Sequence, residues 1–231
     1  MIRWLWRALA ALLAVVAVGA ELDHASGTRA QLAIAVPEVF RSTAQATIAT
    51  LALTTKDSAT ARAEARRLVR RRPMPAEHLF TLAVADLRDK RPQAFTSAFR
   101  AASTRGWRYA PLQVAAAQGA LQNGDLPGAA NRIAALWASA MDNPSTVPLT
   151  TALLTRPDGP EAFAVPLSQT HVWASNFLAS AATFVPPPAL IHTVEAAQRR
   201  GARFDCDALE RLNEQLVQKA AGSPSVSCDR S

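Results

Sequence analysis

Glycine, lysine, aromatic rings and cysteine are all sparse in this chain, and each scarcity narrows what it can be. Nine glycines in 231 residues fall below the roughly 7% typical of proteins. With few β-branched runs and abundant alanine, which loses least on entering a helix, the chain has little with which to build sheets. Aromatic residues make up only 6% of a chain that is 49% hydrophobic, so alanine, leucine and valine must form the core. The only lysines are Lys56, Lys90 and Lys219, and the formal charge of +7 is carried by arginine. That bias is most simply the mark of a GC-rich bacterial genome and has no functional meaning by itself.

Catalytic and ligand-binding signatures are missing too. No G-x-S-x-G elbow, P-loop or G-x-G-x-x-G fingerprint occurs. The four histidines, His24, His78, His171 and His192, are far apart and in neither H-x3-H nor H-E-x-x-H spacing, so no local pattern supports a zinc site. The acid pairs Asp86/Asp89 and Asp205/Asp207 suit loop and cap positions. A non-catalytic protein with no cofactor and no metal is the expectation.

What is present begins at the N-terminus. Arg3 and Arg7 precede an unbroken apolar run from Ala8 to Ala20, and Glu21 and Asp23 follow it. This is the pattern of an export or membrane-insertion signal, with the arginines on the cytoplasmic side. Two fates fit. Trp4, Leu5 and Trp6 can extend the run into a membrane anchor, with Arg7 snorkelling to the interface. Alternatively, Val18 and Ala20 suit a cut before Glu21 that releases a soluble periplasmic or secreted protein. The anchor is the preferred reading: residues 1–20 in a bacterial inner membrane, 21–36 as a juxtamembrane linker, and the C-terminal domain in the periplasm. Export removes nucleic acid as a partner.

The periodicity beyond is helical throughout. Helices are expected at Pro37–Leu53, Ser58–Arg72, Ala76–Arg88, Gln93–Ser103, Leu112–Gln122 and Pro127–Ser139. The second members of these three pairs share one spacing, seen in Ala61-x3-Ala65-x2-Leu68, Ala94-x3-Ala98-x2-Ala101 and Ala129-x3-Ile133-x2-Leu136. The offsets of 33 and 35 residues, the Gly124-Asp125 turn and Pro73 resemble tetratricopeptide repeats. The large residue of each first helix is Leu79 in one unit but Gln45 and Gln113 in the others. Ala52, Asp86 and Ala120 stand where that family has tyrosine. The resemblance covers residues 37–144 and implies an all-α, right-handed solenoid of helix–turn–helix repeats, preceded by one hydrophobic helix.

Prolines 144, 148, 157, 160 and 166 break the pattern, so 145–169 reads as a Pro-rich linker or packed loop with one short helix near Leu149–Thr155. Residues 170–231 read as a helical cap, with helices at Thr170–Phe184, Ala189–Arg200 and Asp207–Ala220 and with Asp205 or Asp207 as an N-cap. Cys206 and Cys228 lie on the exported side and are expected to form a disulfide that staples the tail to the last helix.

The family resemblance implies a scaffold whose concave groove, lined by the first helix of each pair, takes a protein or peptide partner of the cell envelope, with surface-polysaccharide assembly one plausible setting. Leu79, Asp86, Gln113 and Ala120 are the candidate groove residues. Arg66 and Arg70, in the dense cluster Arg62–Arg72, are the candidate basic flank, although a solvated helix face explains them more plainly. Trp107, Trp137 and Trp173 fit core packing or peptide anchoring. The alternative functions are an exported enzyme with His171, Glu195 and Asp205 in its site, or a module that binds anionic glycan or lipid.

Overall fold

The computed structural model describes residues 2–170, 172–219 and 226–228. Twelve α-helices and no strand occur among them. The chain divides into two compact units, Met1–Gly106 and Trp107–Ser231. This division falls inside the 37–144 stretch that carries the helix-pair spacing.

In the first unit, α1 (Ile2–Ala25) is a single helix of 24 residues, long and apolar enough to cross a membrane. Nearly all of it is exposed until its last two turns. There Gly19 is buried against Phe40, where a Cβ would overlap the ring. Two short 3-10 turns follow, Ala30–Ile34 and Glu38–Phe40, and both contact α1. Then come α2 (Thr43–Ala52), α3 (Ser58–Arg71), α4 (Ala76–Arg88) and α5 (Pro92–Ser103).

The long helix expected from Pro37 to Leu53 is thus broken. Arg41 is extended, at φ −64° and ψ 98°, and the helix restarts at Thr43. Ser42 provides no side-chain cap of its own. The cap comes from Asp23 on α1, whose carboxylate accepts the N–H groups of Ser42 at 2.9 Å, Thr43 at 3.0 Å and Ala44 at 2.9 Å. These donors would otherwise be orphaned at the helix start. Ordinary caps are within a few residues of their helix, so a cap from nineteen residues upstream has no local sequence signal.

The core of this unit is alanine-based. Ala61, Ala65 and Leu68 of α3 are buried, as are Ala44 and Ala49 of α2, Ala83 and Ala85 of α4, and Ala98 and Ala102 of α5. Small side chains let the packed helices approach closely, and Arg66, Arg70 and Arg71 of α3 are exposed. Asp57 starts α3 by accepting from Ala59 and Thr60, both at 3.1 Å.

The second unit holds α6 (Ala110–Gln122), α7 (Leu126–Ser139), α8 (Thr146–Leu154), α9 (Gly159–Ser168), α10 (Ala174–Ala181), α11 (Pro187–Arg199) and α12 (Cys206–Lys219). Gly124, at φ 73°, makes the turn between α6 and α7, and Asp125 caps α7 through the Gly128 N–H at 2.9 Å. The expected linker at 145–169 is instead two packed helices. Pro148 and Pro160 lie in the first turns of α8 and α9, where no intrahelical N–H is required, and only Pro166 sits inside a helix, near its end. Leu153, Leu154, Phe163, Ala164 and Leu167 from this stretch are fully or almost fully buried.

Aromatic rings concentrate in this core. Phe163 lies 5.2 Å from Phe177, and Trp137 meets Phe177 edge-on at 5.5 Å. The Trp137 indole donates to Thr150 Oγ1 at 3.0 Å, which satisfies its buried N–H. Cys206, at the start of α12, is disulfide-bonded to Cys228, with Cα atoms 5.5 Å apart. Asp205 accepts the Asp207 N–H at 3.0 Å, the N-terminal contact expected of one of this acid pair.

Replacing Asp23 by Ala should cost about 2 kcal/mol, since one carboxylate satisfies three backbone donors at a helix start. Denaturant unfolding of the detergent-solubilised protein measures this, and Asp23→Asn should recover part of the loss.

Candidate anion-binding trough

The outward face of α3 and the α4–α5 turn enclose a hollow of about 400 Å³, lined by Arg62, Arg66, Arg67, Arg70, Asp89 and Arg91 with Ala59 and Ala63 between them. Helical geometry explains the row: Arg62, Arg66 and Arg70 recur every four residues and so share one face. The two alanines on the neighbouring row leave the space open. Like charges at this spacing disfavour a helix slightly. The Asp57 cap and the favourable placement of Arg70 and Arg71 at the helix C-terminus offset that cost.

Three of the five arginines are held by carboxylates. Arg62 Nε lies 2.6 Å from Asp86 Oδ1 and 3.7 Å from Asp89 Oδ2. Arg67 pairs with Glu64 at 2.7 Å and Arg91 with Asp89 at 2.7 Å. Lys90 adopts a left-handed φ of 57°, which folds the turn back so that the Arg91 N–H reaches the Asp86 carbonyl at 2.9 Å. The hydrogen bond from Arg91 holds the Asp89 carboxyl below the usual aspartate range. Partial desolvation opposes this, and the Ser58 hydroxyl and the charges of Arg91 and Arg62 reinforce it. Arg66 and Arg70 are exposed and ion-pair with no carboxylate among the described residues. The trough therefore offers two unneutralised guanidiniums, each able to grip a carboxylate or phosphate bidentately. What its lining offers an anion is positive charge and guanidinium hydrogen-bond donors.

The other anticipated site residues are placed differently. Leu79 and Asp86 of α4 and Gln113 of α6 are buried, and Ala120 is half-buried. Neighbouring helices pack against both elements: α4 against α3 and α5, and α6 against α7. Asp86 serves inside the fold as the partner of Arg62. Leu79 and Asp86 belong to the first compact unit, Gln113 and Ala120 to the second. Trp137 and Trp173 are core residues, while Trp107 is 52% exposed with Arg108 stacked on it at 4.4 Å. Sequence reasoning saw the arginines of α3 but not Arg91. Its place in the trough depends on the tertiary packing of the α4–α5 turn, and its nearest sequence signal is the neighbouring Pro92.

Of the residues named for an exported enzyme, His171 lies outside the described residues. Glu195 and Asp205 are each exposed. No group of three His, Cys, Asp or Glu that could hold a metal occurs among the described residues. The densest charge cluster of the second unit is structural: Glu161 on α9 meets His192 at 3.2 Å, Arg199 at 2.6 Å and Arg200 at 3.1 Å, tying α9 to α10's successor, α11. Partial desolvation raises the Glu161 pKa. Hydrogen bonds from Arg199 and His192 and the charges of Arg200 and Arg199 outweigh it and hold the carboxyl below the usual glutamate range.

No protein-family model matches this chain, and neither does any curated protein or any solved structure.

Two outcomes are expected. Arg62→Ala should destabilise the fold by about 3 kcal/mol, because it strands the buried Asp86 carboxylate. The double variant Arg62→Met with Asp86→Leu should recover most of that loss in thermal melts. Glu161 stabilises the fold when ionised, and its folded pKa is depressed. Its contribution is therefore complete above the ordinary glutamate range and disappears as the pH falls through the lower, folded value. The melting-temperature gap between wild type and Glu161→Gln should be widest near neutrality and shrink in acid.

Proposed function

We propose that this chain is a non-catalytic helical-repeat scaffold of the bacterial cell envelope, tethered to the inner membrane by α1. It binds a protein partner through an acidic segment laid along the α3 trough. The observation that carries this reading is the pair of unneutralised arginines, Arg66 and Arg70, inside a hollow lined by five guanidiniums. Such a surface repels other cations and gains most from a ligand with several closely spaced carboxylates or phosphates.

Three further features support the setting. α1 has the length, apolar content and flanking charges of a membrane anchor, with Arg3 and Arg7 on the side that stays cytoplasmic. The Cys206–Cys228 disulfide suits an oxidising compartment outside the cytoplasm. The pairs α2–α3, α4–α5 and α6–α7 are joined by short turns and pack within themselves. Ala65, Ala98 and Ile133, which occupy equivalent places in the repeat spacing, are all buried. A tetratricopeptide-like right-handed solenoid accounts for that coincidence. In this reading the partner-binding surface lies on the second helix of the first pair, and the inward residues Leu79, Asp86 and Gln113 shape the fold behind it.

The test is crosslinking of the full-length protein in its native membrane, followed by capture and mass spectrometry. Arg66→Glu with Arg70→Glu should reduce recovery of a stoichiometric, acidic envelope partner at least about tenfold, the equivalent of ~1.4 kcal/mol. Because both side chains are exposed, the melting temperature should not change. Undiminished capture by the double variant would remove the trough from the interface, and absence of any stoichiometric partner would remove the scaffold.

A further inference from the structure

The foot of the first unit carries apolar side chains left exposed among the described residues. Ile34 is 72% exposed and Val39 is 82% exposed. Each sits on one of the two 3-10 turns, Ala30–Ile34 and Glu38–Phe40, that contact α1. The height of these turns along α1 is set by Phe40, whose ring is pressed onto Gly19. At 1.5 Å per residue, Gly19 lies about 26 Å along the helix from Ile2. If α1 spans a bilayer, whose hydrocarbon core is about 30 Å thick, that places Phe40 and Val39 at the edge of the apolar layer.

Cations surround the same turns. Arg29 immediately precedes the first turn and is exposed. Arg41 follows the second, and its Nε donates to the Val36 carbonyl at 2.7 Å. Arg71, at the end of α3, donates to the Arg41 carbonyl and lies 3.8 Å from Glu38. Exposed apolar residues on turns that contact the end of an apolar helix, with three arginines on or beside the same turns, form the pattern of an interfacial membrane contact.

We propose that Ile34 and Val39 insert into the interfacial layer of the leaflet from which α1 emerges. Arg29, Arg41 and Arg71 face its anionic headgroups there, so the first unit rests on the membrane instead of hanging from a flexible stalk. This rests on α1 being retained as an anchor. The continuous helix to Ala25 and the rigid Asp23 and Gly19 contacts leave no slack between the span and the turns.

The experiment uses the full-length chain, which has no free cysteine among the described residues. A single cysteine is introduced by Ile34→Cys or Val39→Cys and labelled with an environment-sensitive fluorophore. Leu87→Cys, at an exposed position of α4, is the control. The proteins are reconstituted into vesicles of phosphatidylcholine and phosphatidylglycerol carrying a shallow spin-labelled quencher lipid. Flotation of the vesicles reports whether α1 holds the protein in the bilayer. In the floated protein, labels at residues 34 and 39 should emit at shorter wavelength and be quenched about twofold or more over the label at 87, as expected for side chains sunk into the headgroup boundary. Labels at 34 and 39 as wet as the control, in protein that floats, would overturn the inference and leave the anchor standing. Protein that fails to float would overturn both.

Discussion

One carboxylate joins the apolar helix to everything that follows it. Asp23 projects from the last turn of α1 and receives the N–H groups of Ser42, Thr43 and Ala44 at the start of α2. Its own carbonyl accepts the Ser26 hydroxyl at 2.6 Å. A capping interaction is usually a local economy within one helix. Here it is a tertiary bond, since the acceptor belongs to one helix and the donors to another. It fixes where α2 begins and orients the two short turns, which in turn bring Phe40 onto Gly19. The remaining helices of the first unit then pack onto α2 in succession, α3 on α2 and α4 on α3.

The two units solve the packing problem in different ways. The first is built from alanine, so each buried side chain removes little area from water and stability must come from close helix contact over many small residues. An enclosed ion pair is correspondingly important: Arg62 and Asp86 have only 13% and 5% side-chain exposure. The second unit gathers Trp137, Phe163, Trp173 and Phe177 into one aromatic cluster and closes its tail with a disulfide. The basic trough therefore belongs to the unit with the lighter core, on the outer face of a helix whose inner face is only Ala61, Ala65 and Leu68.

Helices were legible because their signals are local. The bounds of α3, α4, α5, α6 and α7 follow from apolar periodicity, first-turn prolines and Gly-Asp turns to within a residue or two. The cysteine pair was legible from its address. The break at Arg41 was not, because its cause lies nineteen residues upstream. α8 was anticipated in part, as the short helix near Leu149–Thr155, but α9 was not: its prolines read as linker punctuation until burial shows that Pro160 occupies a helix start. The groove candidates show a related limit of sequence. A helical face is legible in one sequence, but which neighbour covers that face is not, and Asp86 and Gln113 proved to be interior. The arginine row was legible as a row, whereas its enclosure by Arg91 and Asp89 needed the α4–α5 turn.

If the chain is exported, the unbroken helicity of α1 through Ala25 bears on the order of events. A signal-processing protease must draw its substrate into an extended conformation, and the bond after Ala20 lies within a helix whose next turn is bolted to α2 through Asp23. Once the first unit has folded, that bond is protected by the free energy of unwinding the joint. Processing and folding would then be in a race, decided in the interval between emergence of residue 20 and arrival of residue 44. Asp23 lies on the retained side of the cut, so either winner leaves α2 capped. The two finished proteins differ chiefly in the seat beneath Phe40.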